Sequence, residues 1–361
     1  MVKKMVAVHI LLLFLVISGY AYEVSETCSY IAVSPITARA NGTDTITVLV
    51  TIKSETGIPV SGETVVLNVT RPESTIIENT SPPDALTNAS GQCSFTIRSS
   101  YSYGETITAT VAQRTIKENL LGARNPCFEE GPGDTSPTGW GFDNWGTGAS
   151  GYWDTTTFHT GLKSLKIINP GGRGIWITWP GKKGTMTENT SYKLSVWVIH
   201  LYTSGSNPSF IVFYNDINDT NIGSSSIPIT PSDTWTYYSS IVTSPAKTDN
   251  IRAIYLESSW GAEQTVWFDD VRIERIPTVN FTASNLKFVS SPFTIIQNEV
   301  SPKITVIAGD SYGNTDTTFN NTVALLSSSS NGKFSSDGTN WSTINDSAIT
   351  LISGASNFYY K

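Results

Sequence analysis

The chain has 361 residues, a formal net charge of −7 and only 15% charged residues. It has room for two or three domains, and without a basic stripe it lacks the attraction to phosphates that nucleic-acid binding needs, so nucleic acid is excluded as a partner. Aromatic and β-branched residues are common, turn residues recur at short intervals and long amphipathic helical patterns are missing, which predicts an all-β protein.

The N-terminus has the features of a secretory signal peptide. Lys3 and Lys4 precede an apolar run over 5–17, and Gly19 and Ala21 are small enough to precede a cleavage site. We interpret 1–21 as a signal peptide, which predicts a secreted or cell-surface protein. The alternative is an uncleaved membrane anchor, although the run is short for a span and no other apolar segment of spanning length follows.

Three cysteines, Cys28, Cys93 and Cys127, match no metal-binding spacing. In an oxidising compartment Cys28 could pair with Cys93 inside the first domain, leaving Cys127 over, and the sequence leaves this bridge open. The alternative is that all three are small buried hydrophobic side chains.

Residues 22–117 alternate apolar and polar side chains as half-buried strands do. Such runs follow the turns G-I-P-V-S-G at 57–62 and N-A-S-G at 88–91, and Y-G-E-T-I-T-A-T-V at 103–111 comes last. The pattern predicts an immunoglobulin-like sandwich. The order of turns and strands resembles the bacterial immunoglobulin-like repeats of the invasin and intimin adhesins.

Residues 118–276 hold nine of the ten tryptophans, which indicates a module that uses aromatic surface. Its motifs, in order, are N-P-C-F-E-E-G at 125–131, P-T-G-W at 137–140, H-T-G-L-K-S-L-K-I at 159–167, Y-K-L-S-V-W-V at 192–198 and W-F-D-D-V-R-I at 267–273. They resemble the carbohydrate-binding modules of the type-C endoglucanase of cellulolytic bacteria and of many xylanases and laminarinases. The resemblance implies a galactose-binding-like β-jelly-roll with a structural calcium ion.

For this calcium ion the resemblance implies carboxylate ligands from Glu129 and Asp269 and main-chain oxygens near Thr160 and Lys163. Calcium takes about six to eight oxygens, carbonyls included, so a loop containing Gly161 between two carboxylate-bearing strands suits it. The alternative is that Asp269 caps loop amides and Glu129 is a solvated strand end.

Strict strand alternation puts Asp269 on one face with Trp267, Val271 and Ile273, where its burial needs compensation. The chain departs from the family at Cys127, where glycine is usual, so we expect the turn there to differ.

A sugar site needs aromatic faces for stacking and polar groups for the hydroxyls. Alternation predicts one concave face, with a rim of loop tryptophans, and keeps Ile175, Ile177 and Trp179 as core. The expected face residues are Trp176, Trp197, Tyr255, Glu257 and either Phe213 or Tyr214, and the expected rim residues are Trp145, Trp153 and Trp260. Trp140 and Trp235 lie where the family keeps core residues, and burial in the core is the alternative for each tryptophan.

Catalysis by this module is not expected. Glycosidases flank one bond with two carboxyl groups, but on regular strands the adjacent pairs Glu129–Glu130 and Asp269–Asp270 point to opposite faces. Within 118–276 no G-x-S-x-G nucleophile motif occurs, and G-D-S-Y-G at 309–313 is interpreted as a turn of the last domain.

Residues 277–361 repeat the alternation of the first domain and predict a second immunoglobulin-like sandwich. We expect it to be truncated, because the chain stops before a closing hairpin and leaves an open sheet edge. That would make the chain a fragment of a longer protein or the product of an incomplete gene.

The sequence thus predicts a secreted or surface protein that binds a polysaccharide or glycan through a non-catalytic jelly-roll displayed by immunoglobulin-like spacers. One alternative is a structural, adhesive surface protein without sugar affinity. Another is the accessory region of a glycoside hydrolase whose catalytic domain lies beyond Lys361.

Overall fold

The computed structural model describes residues 23–361 except 133–135, 146–147, 182, 203–204, 262 and 343–346. The expected signal peptide, 1–21, lies outside the described residues. Within these ranges the chain is all-β, as predicted, apart from a 3-10 turn at Gly122–Arg124. None of the helical structure in the described part is long and apolar enough to cross a membrane.

The first sandwich has an immunoglobulin-like arrangement of two facing sheets, ordered β1-β3-β6-β5 and β4-β8-β9. Its strands are β1 (Tyr30–Ser34), β2 (Thr37–Arg39), β3 (Ile46–Thr51), β4 (Val66–Val69), β5 (Thr75–Ser81), β6 (Gln92–Ser99), β7 (Tyr103–Glu105), β8 (Ile107–Val111) and β9 (Arg114–Lys117). Every second residue of β3 and of β6 faces the core of the sandwich. Val48 of β3, for example, is directly opposite Phe95 of β6. Period-two burial of apolar side chains explains why this segment forms strands.

The central module is a jelly-roll of two five-stranded antiparallel sheets. Its strands are β10 (Gly141–Asp143), β11 (Ser150–Asp154), β12 (Ser164–Pro170), β13 (Ile175–Thr178), β14 (Ser191–Tyr202), β15 (Ser209–Asn215), β16 (Asn221–Pro228), β17 (Ser232–Thr243), β18 (Asn250–Glu257) and β19 (Glu263–Ile276). We call β10-β13-β18-β15-β16 the front sheet and β11-β12-β19-β14-β17 the back sheet. The module's core lies between them.

The jelly-roll is inserted into the last strand of the first sandwich. β9 pairs with β8, where Lys117 is opposite Thr108. The continuation of β9 along the same edge is supplied by β20 (Val279–Thr282), which pairs with β7, where Val279 is opposite Glu105. β20 also runs parallel to β2, and Val279 and Phe281 are buried in the first core. The predicted boundary at 277 is therefore wrong, because 279–282 completes the first sandwich.

A buried ion pair joins the two ends of the insertion. Glu118 and Arg275 have side chains that are each only 3% exposed, and their charged atoms lie 3.2 Å apart. The Arg275 amide donates to the second Glu118 oxygen at 2.9 Å, and its guanidinium donates to the carbonyls of Thr278 and Thr185. Entry and exit of the jelly-roll are thus held together at the sandwich.

The cysteine pairing differs from both alternatives that the sequence left open. Cys28 forms a disulfide with Cys127, with Cα atoms 5.2 Å apart, while Cys93 is free and buried. Cys93 is on β6 and faces the sandwich interior, whereas Cys28 precedes β1 at the end that contacts the insertion. The residue that replaces the family's glycine therefore ties the jelly-roll to the sandwich.

The last segment forms its own small core between a sheet ordered β21-β22-β26-β24 and the two-stranded sheet β23-β25. Its strands are β21 (Asn285–Phe288), β22 (Ile304–Gly309), β23 (Thr322–Leu325), β24 (Phe334–Ser335), β25 (Ser347–Thr350) and β26 (Ala355–Tyr360). It contacts the first sandwich through stacked Tyr101 and Tyr312, whose ring centroids are 4.5 Å apart. Truncation of this domain stays a prediction.

Candidate functional site

An aromatic and aliphatic patch covers the outer face of the front sheet. Tyr255 of β18 lies between Ile177 of β13 and Ile211 of β15, and the Phe213 ring centroid is 4.7 Å from that of Tyr255. The neighbouring residues Ile254 and Leu256 point the other way, into the core. We call Ile177, Ile211, Phe213 and Tyr255 the front patch; Ile177 is buried and the other three are partly exposed.

Polar groups border one end of the front patch. Glu257 is next to Tyr255 on the same face, accepts a hydrogen bond from Ser209 Oγ at 2.9 Å and pairs with Arg173. The Arg173 guanidinium also lies 4.4 Å from the ring centroid of Trp145. Because these contacts hold Glu257 and Arg173 in place, the patch combines a stacking surface with fixed acceptors and donors.

Trp176 and Tyr214 are not on this face, so their predicted placement is wrong. Trp176 is 1% and Tyr214 0% exposed, and both belong to the jelly-roll core. Trp176 Nε1 donates to the carbonyl of Lys166 at 3.1 Å. Alternation correctly placed Trp176 on the opposite face of β13 from Ile175 and Ile177. Because both faces of β13 are apolar, it did not reveal which face is turned towards the core.

The opposite set on β13 is also buried, on the outer side of the front sheet, where Ile175 is 1% and Ile177 8% exposed. Ile177 lies in the front patch, and Trp179, which follows β13, is 58% exposed. Ile175 and Ile177 are thus buried as expected, although outside the core between the two sheets, whereas the predicted burial of Trp179 is wrong. Trp179 and Ile211 are therefore the residues that the choice of face missed, and the apolar character of both faces of β13 was the available signal. Of the two alternatives Phe213 and Tyr214, it is Phe213 that lies in the front patch.

The expected rim residues separate into two groups. Trp153 is in the core, where its Nε1 donates to the carbonyl of Phe128 at 2.6 Å, so its predicted rim position is wrong. Trp145 and Trp260 are about half exposed, the latter in the loop between β18 and β19. Trp140 packs edge-on against Phe128 in the core, as expected, whereas Trp235 is only partly buried.

Trp197 lies on the outer face of the back sheet, so it cannot share one face with Tyr255. Its ring stacks on His159 with centroids 3.8 Å apart, and it is paired with Asp269 and Tyr237 on the adjacent strands. Trp235 lies beside His159, at 5.8 Å between centroids. The back sheet thus has an aromatic cluster of its own.

A bulge in β19 places Asp269 and Asp270 side by side. Ser195 is opposite Arg272 but Trp197 is opposite Asp269, so β19 has one extra residue here, and Asp270 has φ +52°. Phe268 and Val271 consequently both face the core. The predicted shared face of Trp267, Asp269, Val271 and Ile273 is wrong, since the bulge reverses the alternation.

Three carboxylates converge on the loop at 159–163. Asp269 Oδ2 accepts hydrogen bonds from the amides of His159 and Thr160 at 2.9 and 3.3 Å, and Asp270 accepts from Thr160 Oγ1 at 2.9 Å. Glu129 Oε1 accepts from the amides of Leu162 and Lys163 at 3.0 and 2.9 Å.

The loop fits so closely that only glycine suits position 161. Gly161 has φ +68°, and a Cβ there would lie 2.3 Å from Glu129 Oε1 and 2.4 Å from the carbonyl oxygen of Glu55 in the first sandwich. Thr27 of the sandwich contacts Thr160 through their hydroxyls at 3.2 Å. The sandwich therefore covers the loop and helps to bury the carboxylates.

Burial makes this cluster costly as a set of anions. It raises the pKa of Glu129 to about 7, although the amides of Leu162 and Lys163 oppose the shift. The pKa of Asp269 lies well above its usual range, first because of burial and then because of the charge on Asp270. A cation would offset both effects.

The expected calcium ligands are thus brought together, but the loop presents amide hydrogens, not carbonyls, to Glu129 and Asp269. In the described ranges no group of three or more His, Cys, Asp or Glu side chains has a metal-binding arrangement. The amide contacts are those of the capping alternative, and the raised pKa values of Glu129 and Asp269 follow first from their burial.

The fold and these surfaces define an all-β protein in which an immunoglobulin-like sandwich carries an inserted jelly-roll. Residues 29–120 match the family described as bacterial Ig-like domain (group 1). The search of curated proteins finds no match for the chain.

Several similar solved structures are carbohydrate-binding modules. The CBM22-1 xylan-binding domain from Paenibacillus barcinonensis Xyn10C is 15% identical, with a TM-score of 0.32, over 42% of this chain and 91% of that one. The family 11 carbohydrate-binding module of a Clostridium thermocellum cellulosomal cellulase is 14% identical, with a TM-score of 0.31, over 42% of this chain and 93% of that one.

The chain is also similar to the enzymatically active domain of Bacteriophage CBA120 tailspike protein 4. The identity is 12% and the TM-score 0.30, over 38% of this chain and only 19% of the tailspike chain. Scores of this size do not identify a ligand for this chain.

Proposed function

We propose that this chain is a non-catalytic carbohydrate-binding protein and that the front patch binds a polysaccharide. The observation that carries the proposal is the joined aromatic pair Tyr255 and Phe213 on an outer sheet face, bordered by the fixed Glu257–Arg173 pair. Sugar rings present C–H groups that stack on such aromatic side chains, and their hydroxyls need directed polar partners. The rings of Tyr255 and Phe213 are partly exposed, so a sugar chain can reach them from solvent.

Export of the protein is part of this proposal. The Cys28–Cys127 disulfide supports it, because structural disulfides persist in oxidising compartments and are rare in the cytosol. A secreted or cell-surface location also brings the front patch to extracellular polysaccharides.

A calcium ion near Glu129 and Asp269 is a further part of the proposal. The raised pKa values of these two carboxyl groups support it, since a bound cation would offset the cost of burying them as anions. Glu129 and Asp269 would hold the ion, whose role would be to stabilise the loop at 159–163 and not to contact the sugar.

Affinity electrophoresis in β-glucan, xylan and mannan gels tests the sugar-binding proposal. The wild-type chain should be retarded in at least one gel, and Tyr255→Ala should remove most of that retardation by deleting the stacking surface. Tyr152→Ala is the matched control, because Tyr152 is an exposed tyrosine on the back-sheet strand β11. Absence of retardation in all three gels, with calcium present, would overturn the proposal.

A further inference from the structure

A second cleft lies where the back sheet meets the first sandwich, away from the front patch. It has a volume of about 150 Å³. The jelly-roll wall consists of Ser195, Trp197, Tyr237, Asp270, Arg272 and Glu274, and the sandwich wall consists of Glu26, Thr27, Thr115 and Lys117. Neither domain alone supplies both walls.

One side of the cleft is aromatic. Trp197 and Tyr237 are directly opposite one another on β14 and β17, with ring centroids 5.4 Å apart. His159 stacks on Trp197 and is itself held by Asp270, whose carboxylate is 2.7 Å from Nδ1. Tyr237 stays 43% exposed, so its ring is available to a ligand.

Arg272 fixes the two walls relative to each other. Its guanidinium donates to the carbonyls of Lys117 and Glu118 at 3.3 and 3.4 Å and to the carbonyl of Glu26. The insertion through a split strand and the Cys28–Cys127 disulfide hold the same junction. The cleft is therefore preorganised, which lowers the entropy cost of binding.

The lining favours a small neutral ligand with hydroxyl groups. The carboxylates of Glu26, Asp270 and Glu274 are nearly balanced by the cations Lys117 and Arg272, so the cleft does not select an anion. Its volume is several times the roughly 30 Å³ of one water molecule but below the roughly 300 Å³ of the smallest drug-sized pockets. A single ring fits these limits, whereas a polysaccharide segment does not.

We propose that this junction cleft binds one pyranose or furanose ring, as a free monosaccharide or as the terminal residue of a glycan. The ring would stack on Tyr237 beside Trp197, and its hydroxyls would bond to the polar side chains of both walls. This is a second site, on the opposite sheet from the front patch, and it goes beyond the proposed function.

Saturation-transfer NMR tests the cleft, using the full mature chain with D-glucose, D-galactose, D-mannose, D-xylose and L-arabinose as probes. The wild type should transfer saturation to at least one sugar. Tyr237→Ala should weaken binding of that sugar about tenfold, the size expected for loss of one aromatic stacking contact. Tyr152→Ala, an exposed tyrosine on the same sheet, should leave binding unchanged.

A second variant approaches the cleft from the other domain. Thr115→Trp should fill it from the sandwich wall and abolish transfer, whereas Thr47→Trp, at another exposed threonine of the sandwich, should not. No transfer from the wild type to any of the five sugars, or transfer unchanged in both Tyr237→Ala and Thr115→Trp, would overturn the proposal. Tyr255→Ala separates the two sites, because it should reduce retention by polysaccharide but not monosaccharide binding in the cleft.

Discussion

At the scale of single residues, a buried histidine makes the stability of the jelly-roll depend on pH. His200 of β14 is 1% exposed, and burial lowers its pKa below the usual value, although the Gln264 side chain and the Thr230 backbone oppose the shift. The unfolded chain, with an ordinary histidine pKa near about 6.5, therefore takes up a proton at higher pH than the folded chain does. Neutral His200 favours folding, and this contribution is lost as the pH falls below that value.

We therefore expect His200→Gln to reduce the loss of stability between pH 7.5 and pH 5. Each unit by which folding lowers the pKa corresponds to about 1.4 kcal/mol of unfolding free energy. Urea denaturation at several pH values measures the unfolding free energy of both proteins. Subtracting one pH profile from the other cancels the contribution of the other titrating groups. Parallel pH profiles for the two proteins would contradict this assignment.

The carboxylate cluster gives a second prediction for single residues, which follows from the calcium proposal. Calcium at about 100 times its dissociation constant should stabilise the fold by about 2.7 kcal/mol, because it binds the folded chain only. Asp269→Ala should remove this calcium dependence and lower the melting temperature. The measurement is a melting curve with calcium and with a chelator, and identical wild-type curves would rule the metal site out.

At the scale of strands, the placement of Trp176 and Trp179 leads to a direct comparison. Trp176→Ala should destabilise the chain by about 3–5 kcal/mol, since it empties a large volume in the core. Trp179→Ala, at a mostly exposed position, should change stability by less than about 0.5 kcal/mol. Urea denaturation distinguishes them, and a larger loss for Trp179→Ala would restore the original choice of face.

Strand β13 shows what alternation can and cannot predict. The all-β class, the order of the domains and the sharing of one face by Tyr255 and Glu257 follow from local patterns of apolar residues and turns. The inward face of β13 does not, because apolar side chains cover both of its faces. Both sets are buried, and which of them enters the core between the sheets depends on the neighbouring strands, where Tyr255 and Phe213 cover the aliphatic side from outside.

Strand β19 shows a different limit. Its bulge inserts one residue at Asp270, and alternation on either side is then out of phase. Asp269 and Asp270 both reach the loop at 159–160, which the rule of opposite faces excluded. A bulge depends on the pairing with β14, and nothing in the local sequence marks it.

At the scale of the whole molecule, the decisive feature is a strand that is interrupted by an entire domain. The resemblance of 22–117 to bacterial immunoglobulin-like repeats identified the sandwich but not its last strand, because β20 is more than 150 residues away from β7 in sequence. The Cys28–Cys127 disulfide, which spans 99 residues, joins the sandwich to the inserted jelly-roll, so patterns within one domain did not reveal it either. Patterns that repeat over a few residues therefore located the domains. They did not predict that one domain is inserted into the last strand of another.

The split strand predicts that the jelly-roll can be removed without unfolding the sandwich, provided that β20 stays. Because Lys117 is opposite Thr108 and Val279 is opposite Glu105, joining residue 118 directly to residue 278 keeps both halves in register. We expect a chain of 23–118 joined to 278–284 to fold cooperatively. The chain 23–118 alone should lose the burial of Val279 and Phe281, at about 1.5–3 kcal/mol for each side chain. Urea denaturation compares the two, with Cys28→Ser in both because Cys127 is absent, and equal midpoints would mean that β20 does not complete the sandwich.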